Sequence, residues 1–113
     1  MRCRVLAMAI VVGAVCAAVP AAAQTPVEKG MAVFTAQKCS LCHSVAGKGN
    51  AKGPLEEGVQ TLSAADIHQW LVNPQEMSEK AKAARKPAMK AFATLPKDDL
   101  DALVAYLVSL KKK

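Results

Sequence analysis

The run Cys39-Ser40-Leu41-Cys42-His43 contains the residues whose types and spacing most clearly predict chemistry. Two thiols separated by two residues lie about one helical turn apart, so each can add to one haem vinyl group as a thioether. The imidazole that follows directly is then delivered to the iron as an axial ligand. The motif therefore predicts one covalently attached haem c, bound through Cys39 and Cys42, with His43 as an iron ligand.

A redox dithiol and a zinc site are the alternative interpretations of this spacing. A thioredoxin-like dithiol needs a βαβ context, and no strand pattern is found in the chain. A zinc site needs further ligands, and the remaining candidates are His68, Cys3 and Cys16. Both alternatives are weaker than the haem interpretation.

The second axial ligand decides what the iron can do. A thioether favours ferrous iron, raises the reduction potential and keeps out oxygen and peroxide, as an electron carrier requires. Met89 follows Pro87 in an extended loop, far enough from the histidine to reach the opposite haem face, and we predict it as the sixth ligand. Ligation by His68 is the main competitor and would lower the potential. The other methionines considered are Met31, which we expect in the core, and Met77, which lies in a charged segment.

The N-terminus has the pattern of a secretory signal peptide. Arg2 and Arg4 precede an uncharged apolar stretch over residues 5–19, and three alanines beyond it form a small-residue cleavage site. We expect a signal peptide over residues 1–23, one domain over residues 24–113 and a periplasmic location. An uncleaved membrane anchor is the alternative.

A domain of this size needs an additional source of core stability. Its aromatic side chains are few, and a haem would supply the missing large, flat, apolar component. Both cysteines beyond the leader belong to the haem motif, so none remains for a structural disulfide. The aromatic residues are Phe34, Trp70, Phe92 and Tyr106.

The chain is basic, with a formal net charge of +6 that falls to +4 once the two leader arginines are removed. We expect redox protein partners, with an acidic partner surface as the docking site. A nucleic-acid partner is not predicted, because the sequence has no nucleic-acid module and no aromatic stacking platform. The densest basic run could attract such a partner, or it could simply form a solvated surface. Its residues are Lys80, Lys82, Arg85, Lys86 and Lys90.

Hydrophobic spacing and capping signals predict a helical chain. Val27, Met31 and Phe34 recur at helical spacing and indicate the buried face of the first helix. Ser63 followed by Asp66 predicts a capping box at the start of the second. No strand is predicted, and residues 45–61 are expected to form a loop. The predicted helices cover about residues 26–37, 63–73, 75–84 and 96–110.

The chain resembles small monohaem class I cytochromes c over nearly all of residues 26–110. It has the order of that family: a helix, C-x-x-C-H, Gly-Pro-Leu, a tryptophan-bearing helix, Pro-x-Met and a C-terminal helix. The resemblance implies an all-α class I cytochrome c fold, with about four short helices wrapped around one covalently attached haem. It also implies close contact between the first and last helices through Gly30, Phe34, Leu103 and Tyr106.

The resemblance further implies two cofactor-binding residues. Pro54 matches the family proline whose carbonyl accepts the second ring N–H of the axial histidine. Trp70 resembles the tryptophan that packs at the haem edge near a propionate, and a plain core role is equally open. One departure concerns the predicted sixth ligand: Lys90 follows Met89 where many relatives have proline, which makes the ligand loop less rigid.

These observations predict a monomeric periplasmic electron carrier that takes up single electrons and binds no organic substrate. Its expected partners are a donor and an acceptor oxidoreductase. Two alternatives are a haem enzyme or gas sensor with an open coordination site, and the electron-entry subunit of a larger complex.

Overall fold

The computed structural model describes residues 10–15, 24–83 and 85–112, so most of the predicted leader lies outside the described residues. Helices dominate this part of the chain, which confirms the all-α class. Among the described residues, no helix is both long and apolar enough to cross a bilayer. In chain order the elements are α1 (Pro26–Ala36), a 3-10 turn (Cys39–Leu41), β1 (Ser44–Val45), β2 (Lys48–Gly49), α2 (Leu55–Gly58), α3 (Ala64–Val72), α4 (Pro74–Lys80) and α5 (Lys97–Ser109).

Side-chain caps determine where α1 and α3 begin. Before α1, the Thr25 hydroxyl accepts the Glu28 amide at 3.2 Å, and the Glu28 carboxylate accepts the Thr25 amide at 2.9 Å. The predicted capping box of α3 is confirmed, with the corresponding bonds between Ser63 and Asp66 at 3.1 and 3.0 Å. These bonds satisfy amide groups that have no partner inside the helix.

The principal packing contact joins α1 to α5 at Gly30. A Cβ atom there would collide with the carbonyl oxygen of Ala102 and lie 2.5 Å from Cβ of Tyr106, so only glycine permits this approach. One turn further along α1, the Phe34 ring meets the Tyr106 ring edge-on, with centroids 5.5 Å apart. The predicted contact between the first and last helices is therefore confirmed, with Ala102 as an additional partner.

The buried face of α1 differs from the predicted one. Val27 and Met31 are 37% and 51% exposed, whereas Gly30, Val33 and Phe34 are buried. The position at which α5 crosses α1 decides which face of α1 is buried, because Gly30 is the residue that contacts α5. The complete core cluster is Val33, Phe34, Val59, Ile67, Leu71, Leu100, Leu103, Tyr106 and Leu107.

The segment expected to be a loop contains β1, β2 and the one-turn helix α2, so the prediction of no strand is wrong. Positive φ angles at Ala46 and Gly47, 51° and 76°, make a tight turn between the strands. The Glu56 carboxylate accepts the amide of Ala46 and ties this turn to α2. Each strand has only two residues, too few to produce the alternating pattern by which strands are predicted.

Candidate haem site

The C-x-x-C-H motif begins directly after α1. Lys38 adopts a left-handed conformation with φ 58°, which ends the helical region and starts a single 3-10 turn. The amides of Cys42 and His43 both donate to the carbonyl of Cys39, at 3.1 and 2.9 Å. The turn brings the two cysteines and the histidine together locally, with Cys39 half-buried and Cys42 exposed.

Gly49 and Asn50, at the end of β2 and directly after it, hold the 3-10 turn in place. The side-chain amide of Asn50 donates to the carbonyl of Leu41 at 3.2 Å, and its backbone amide donates to the carbonyl of His43 at 3.1 Å. Gly49 has a φ of 109°, and a Cβ there would collide with the His43 carbonyl. Sequence reasoning did not identify Asn50, for which the neighbouring glycine was the only signal.

The His43 ring is oriented by Gly53. Its Nδ1 lies 3.3 Å from the Gly53 carbonyl oxygen, which also accepts the amide of Ser44 at 2.9 Å. The structure thus places the Gly53 carbonyl at Nδ1 in place of the predicted Pro54 carbonyl, which accepts the amide of Gly58 at 3.2 Å within the first turn of α2. With Nδ1 engaged, Nε2 is the ring nitrogen left for a metal.

The surroundings of the motif favour the neutral forms of His43 and Cys39. Burial lowers the pKa of the His43 imidazole, and the Arg85 charge lowers it further, against an opposing effect of the Gly53 carbonyl. A neutral imidazole is the form that binds a metal. Burial has the opposite effect on the Cys39 thiol, whose pKa it raises. The charge of Cys42 raises this pKa slightly further, and a backbone hydrogen bond opposes both effects.

One apolar cavity joins the motif to the rest of the core. Two of its lining groups, the imidazole of His43 and the thioether of Met89, are suited to bind iron. The remaining walls are aliphatic and aromatic apart from one thiol, a lining whose chemistry suits an apolar macrocycle. The donor set and the lining therefore fit a haem. The lining residues are Phe34, Cys39, His43, Leu55, Leu71, Met89, Leu103 and Leu107.

The family model of cytochrome c matches residues 27–111, most of the described domain. This chain belongs to the cytochrome c family. Membership confirms the predicted cofactor, a covalently bound haem c with its iron, and it establishes electron transfer through that haem as the general activity.

A cytochrome c oxidase subunit 2 from Alkalihalophilus pseudofirmus is similar to this cytochrome c. The two are 29% identical over 97 residues, which cover 78% of this chain and 27% of that protein. The chain thus spans about a quarter of the length of this curated relative. No solved structure matches the chain significantly.

Several predicted or considered residues of this cytochrome c do not reach the apolar cavity. Trp70, a predicted cofactor-binding residue, is half-buried on α3 and lies outside both the cavity lining and the core cluster. His68 and Met77 are also half-buried and do not line the cavity. Among the iron-ligand candidates weighed from sequence, His43 and Met89 are therefore the two that the fold brings to one place.

Cys42 lines a second and larger cleft, referred to as the open cleft. Its walls include the exposed side chain of Leu41 and three cationic groups, so the surface next to the second cysteine is positively charged. In the described part of the chain, no cluster of three or more His, Cys, Asp or Glu side chains is arranged as a metal site. The residues lining the open cleft are Leu41, Cys42, Asn50, Lys52, Arg85, Lys86 and Pro87.

Proposed function

We propose that this cytochrome c is a single-electron carrier whose iron is held between His43 and Met89, with thioether bonds at Cys39 and Cys42. The observation that carries the proposal is the convergence of His43, Met89 and Cys39 on one apolar cavity. The haem supplies reversible one-electron chemistry between its ferric and ferrous states.

The protein residues tune this chemistry. The Gly53 carbonyl fixes the ring orientation of His43 and strengthens it as a ligand. The Met89 thioether stabilises ferrous iron and occupies the position at which oxygen or peroxide would bind. The aliphatic walls keep water from the iron, which raises the reduction potential further. A carrier, and not an enzyme with an open coordination site, is the function that these features support.

Partner docking is assigned to the open cleft beside Cys42. Lys52 and Lys86 line it, and Lys90 lies next to Met89. The ion pairs among the described residues involve other lysines: Lys29, Lys80 and Lys97. The cleft therefore keeps its positive charge, which suits an acidic surface on a redox protein that docks with a monomeric carrier.

Export to the periplasm is part of the proposal. It is supported by the charged, apolar and small-residue segments over residues 1–23. Mass measurement of protein released from the periplasmic fraction tests it, with a mature N-terminus near Gln24 expected. Intact residues 1–23 on a membrane-bound protein would instead favour the uncleaved anchor.

Haem staining and a redox titration of the purified holoprotein test the main proposal. Haem should remain on the polypeptide in a denaturing gel, because thioether bonds survive detergent and heat. The titration should follow a one-electron curve at a potential in the range of His/Met-ligated haem. Haem that is lost in acid-acetone extraction would contradict covalent attachment.

The similarity to cytochrome c oxidase subunit 2 favours a second candidate. Because the aligned region is 27% of that protein, a domain like this one occurs there within a larger polypeptide. The chain would then serve as the electron-entry subunit of a terminal oxidase. Purification from native membranes distinguishes the free carrier from the oxidase subunit. A subunit stays with its complex through a salt wash, whereas a free carrier is released.

A further inference from the structure

Arg85 connects the segment that contains Met89 to the haem motif. It lies four residues before Met89, and its Nη2 donates a hydrogen bond to the carbonyl oxygen of Cys42 at 2.5 Å. That carbonyl belongs to the residue directly before His43. Because the donor is charged, this bond is about twice as strong as one between neutral groups.

Gly53 provides the space in which the guanidinium lies. A Cβ at this position would collide with Nη1 of Arg85 and with the Cys42 carbonyl, and would lie 3.0 Å from Cζ of Arg85. The carbonyl of the same Gly53 faces Nδ1 of His43. The guanidinium thus packs on the two peptide units that support the predicted proximal ligand.

The segment that contains Met89, residues 85–91, makes few other hydrogen bonds. Among the described residues, the backbone over 85–91 makes no hydrogen bond to the backbone elsewhere, and the next such bond joins the Phe92 amide to the Leu71 carbonyl at 2.7 Å. The Lys90 ammonium lies 5.9 Å from the centroid of the Phe92 ring, which belongs to the residue that makes this bond. The Arg85 bond is therefore the principal polar link between residues 85–91 and the haem motif.

We propose that Arg85 is a positioning residue, which ties the Met89 segment to the haem motif and thereby keeps the thioether on the iron. This inference rests on the proposed function, in which Met89 is the sixth ligand. Arg85 acts here within the molecule, in contrast to the lysines of the open cleft, whose charges act on a partner.

Imidazole titration of the ferric holoprotein measures the effect, since imidazole competes with the thioether for the iron. Arg85→Gln should tighten apparent imidazole binding roughly tenfold, the equivalent of one lost hydrogen bond to a charged group. The sulfur-to-iron charge-transfer band should weaken in the same variant. Arg85→Lys keeps the charge and loses the forked geometry, so it should give an intermediate affinity.

Lys82→Gln is the matched control. It removes one positive charge three residues before Arg85, from an exposed side chain. Its imidazole affinity should stay within about twofold of the unmodified protein, as for most exposed charges. An equal shift in Arg85→Gln and Lys82→Gln would overturn the inference in favour of a general charge effect. Wild-type affinity in Arg85→Gln, with normal haem content, would also overturn it.

Met89→Ala separates this inference from the proposed function. With no thioether to displace, imidazole should bind far more tightly, and adding Arg85→Gln should change the affinity no further. An unchanged affinity in Met89→Ala would refute the ligand assignment itself. A tightened affinity in Met89→Ala beside an unchanged one in Arg85→Gln would refute the role of Arg85 alone. A further tightening in the double variant would mean that Arg85 acts on the His43 side, which also contradicts the proposal.

Discussion

The orientation of the His43 imidazole depends on one backbone oxygen. The Gly53 carbonyl faces Nδ1, whereas the neighbouring Pro54 carbonyl accepts an amide in the first turn of α2. A side chain at residue 53 would displace both Arg85 and the Cys42 carbonyl. The site therefore requires glycine at this position for packing, in addition to the hydrogen bond that any residue could supply.

Met89→Ala is expected to convert a six-coordinate haem into one with an open position. Carbon monoxide should then bind the ferrous protein readily, and the reduction potential should fall, because the thioether no longer stabilises ferrous iron. Optical spectra and a redox titration measure both changes. Met77→Ala is the control, since Met77 does not line the cavity. A change of spin state in His68→Ala but not in Met89→Ala would show that the histidine is the ligand.

At the scale of elements, the crossing of α1 and α5 supports the site. Phe34, Leu103 and Leu107 belong to these two helices and line the cavity, so the distance between the helices sets the shape of its wall. Gly30 permits the close approach, with the Ala102 carbonyl directly opposite. A change at this contact should therefore reach the haem environment without altering any lining residue.

Gly30→Ala should destabilise the protein by about 1–3 kcal/mol, since the added methyl group must push the two backbones apart. Denaturant unfolding followed by circular dichroism measures the loss. Gly58→Ala is the matched control: a Cβ there meets no atom within 4 Å, and its φ is not in the left-handed region. Helix propensity alone makes both changes favourable, so equal stabilisation by the two would contradict the close contact.

The α3 cap should make stability depend on pH. Hydrogen bonds from the Ser63 amide and hydroxyl lower the pKa of the Asp66 carboxyl. The carboxylate therefore contributes stability above its ordinary pKa, and this contribution is lost as the pH falls through the lowered value. Asp66→Asn should be less stable than the unmodified protein at pH 7, and the difference should disappear in acid. Urea unfolding at a series of pH values measures this, and a pH-independent difference would refute it.

At the scale of the whole molecule, charge and core composition act together. The core cluster contains two aromatic residues, Phe34 and Tyr106, and the cavity opens directly onto it. A haem in that cavity would complete the core of a small domain. The adjacent open cleft retains Lys52 and Lys86, so the surface nearest Cys42 is cationic. A partner would therefore be attracted to the side of the molecule where the cofactor is attached.

Lys86→Glu combined with Lys90→Glu should slow electron transfer with an acidic redox partner and flatten its dependence on salt, while the potential barely moves. Stopped-flow rates over a range of ionic strength measure this. Lys111→Glu combined with Lys112→Glu is the control, with the same change in net charge just beyond the end of α5, at two residues that do not line the cleft. Equal effects of the two pairs would mean that net charge, and not the cleft, determines the rate.

Several features of this protein were determined by the sequence itself, because each depends on residues close together in the chain. Haem attachment needs Cys39, Cys42 and His43 within one turn, so their spacing was sufficient to predict it. The α3 cap depends on Ser63 and Asp66, which are three residues apart, and the prediction was correct. The two ends of α5 were also predicted to within a residue.

Other features were decided by the tertiary structure alone, because they depend on groups that are distant in sequence. The packing of α5 against Gly30 turned Met31 to the surface, although its helical spacing had predicted burial. The bond from Arg85 to Cys42 spans 43 residues and follows from no local pattern. The same holds for the contact between the Gly53 carbonyl and the His43 ring, which joins residues ten apart in the chain. Periodicity specifies which residues share a helix face, whereas the contacts of that face depend on where the rest of the chain packs.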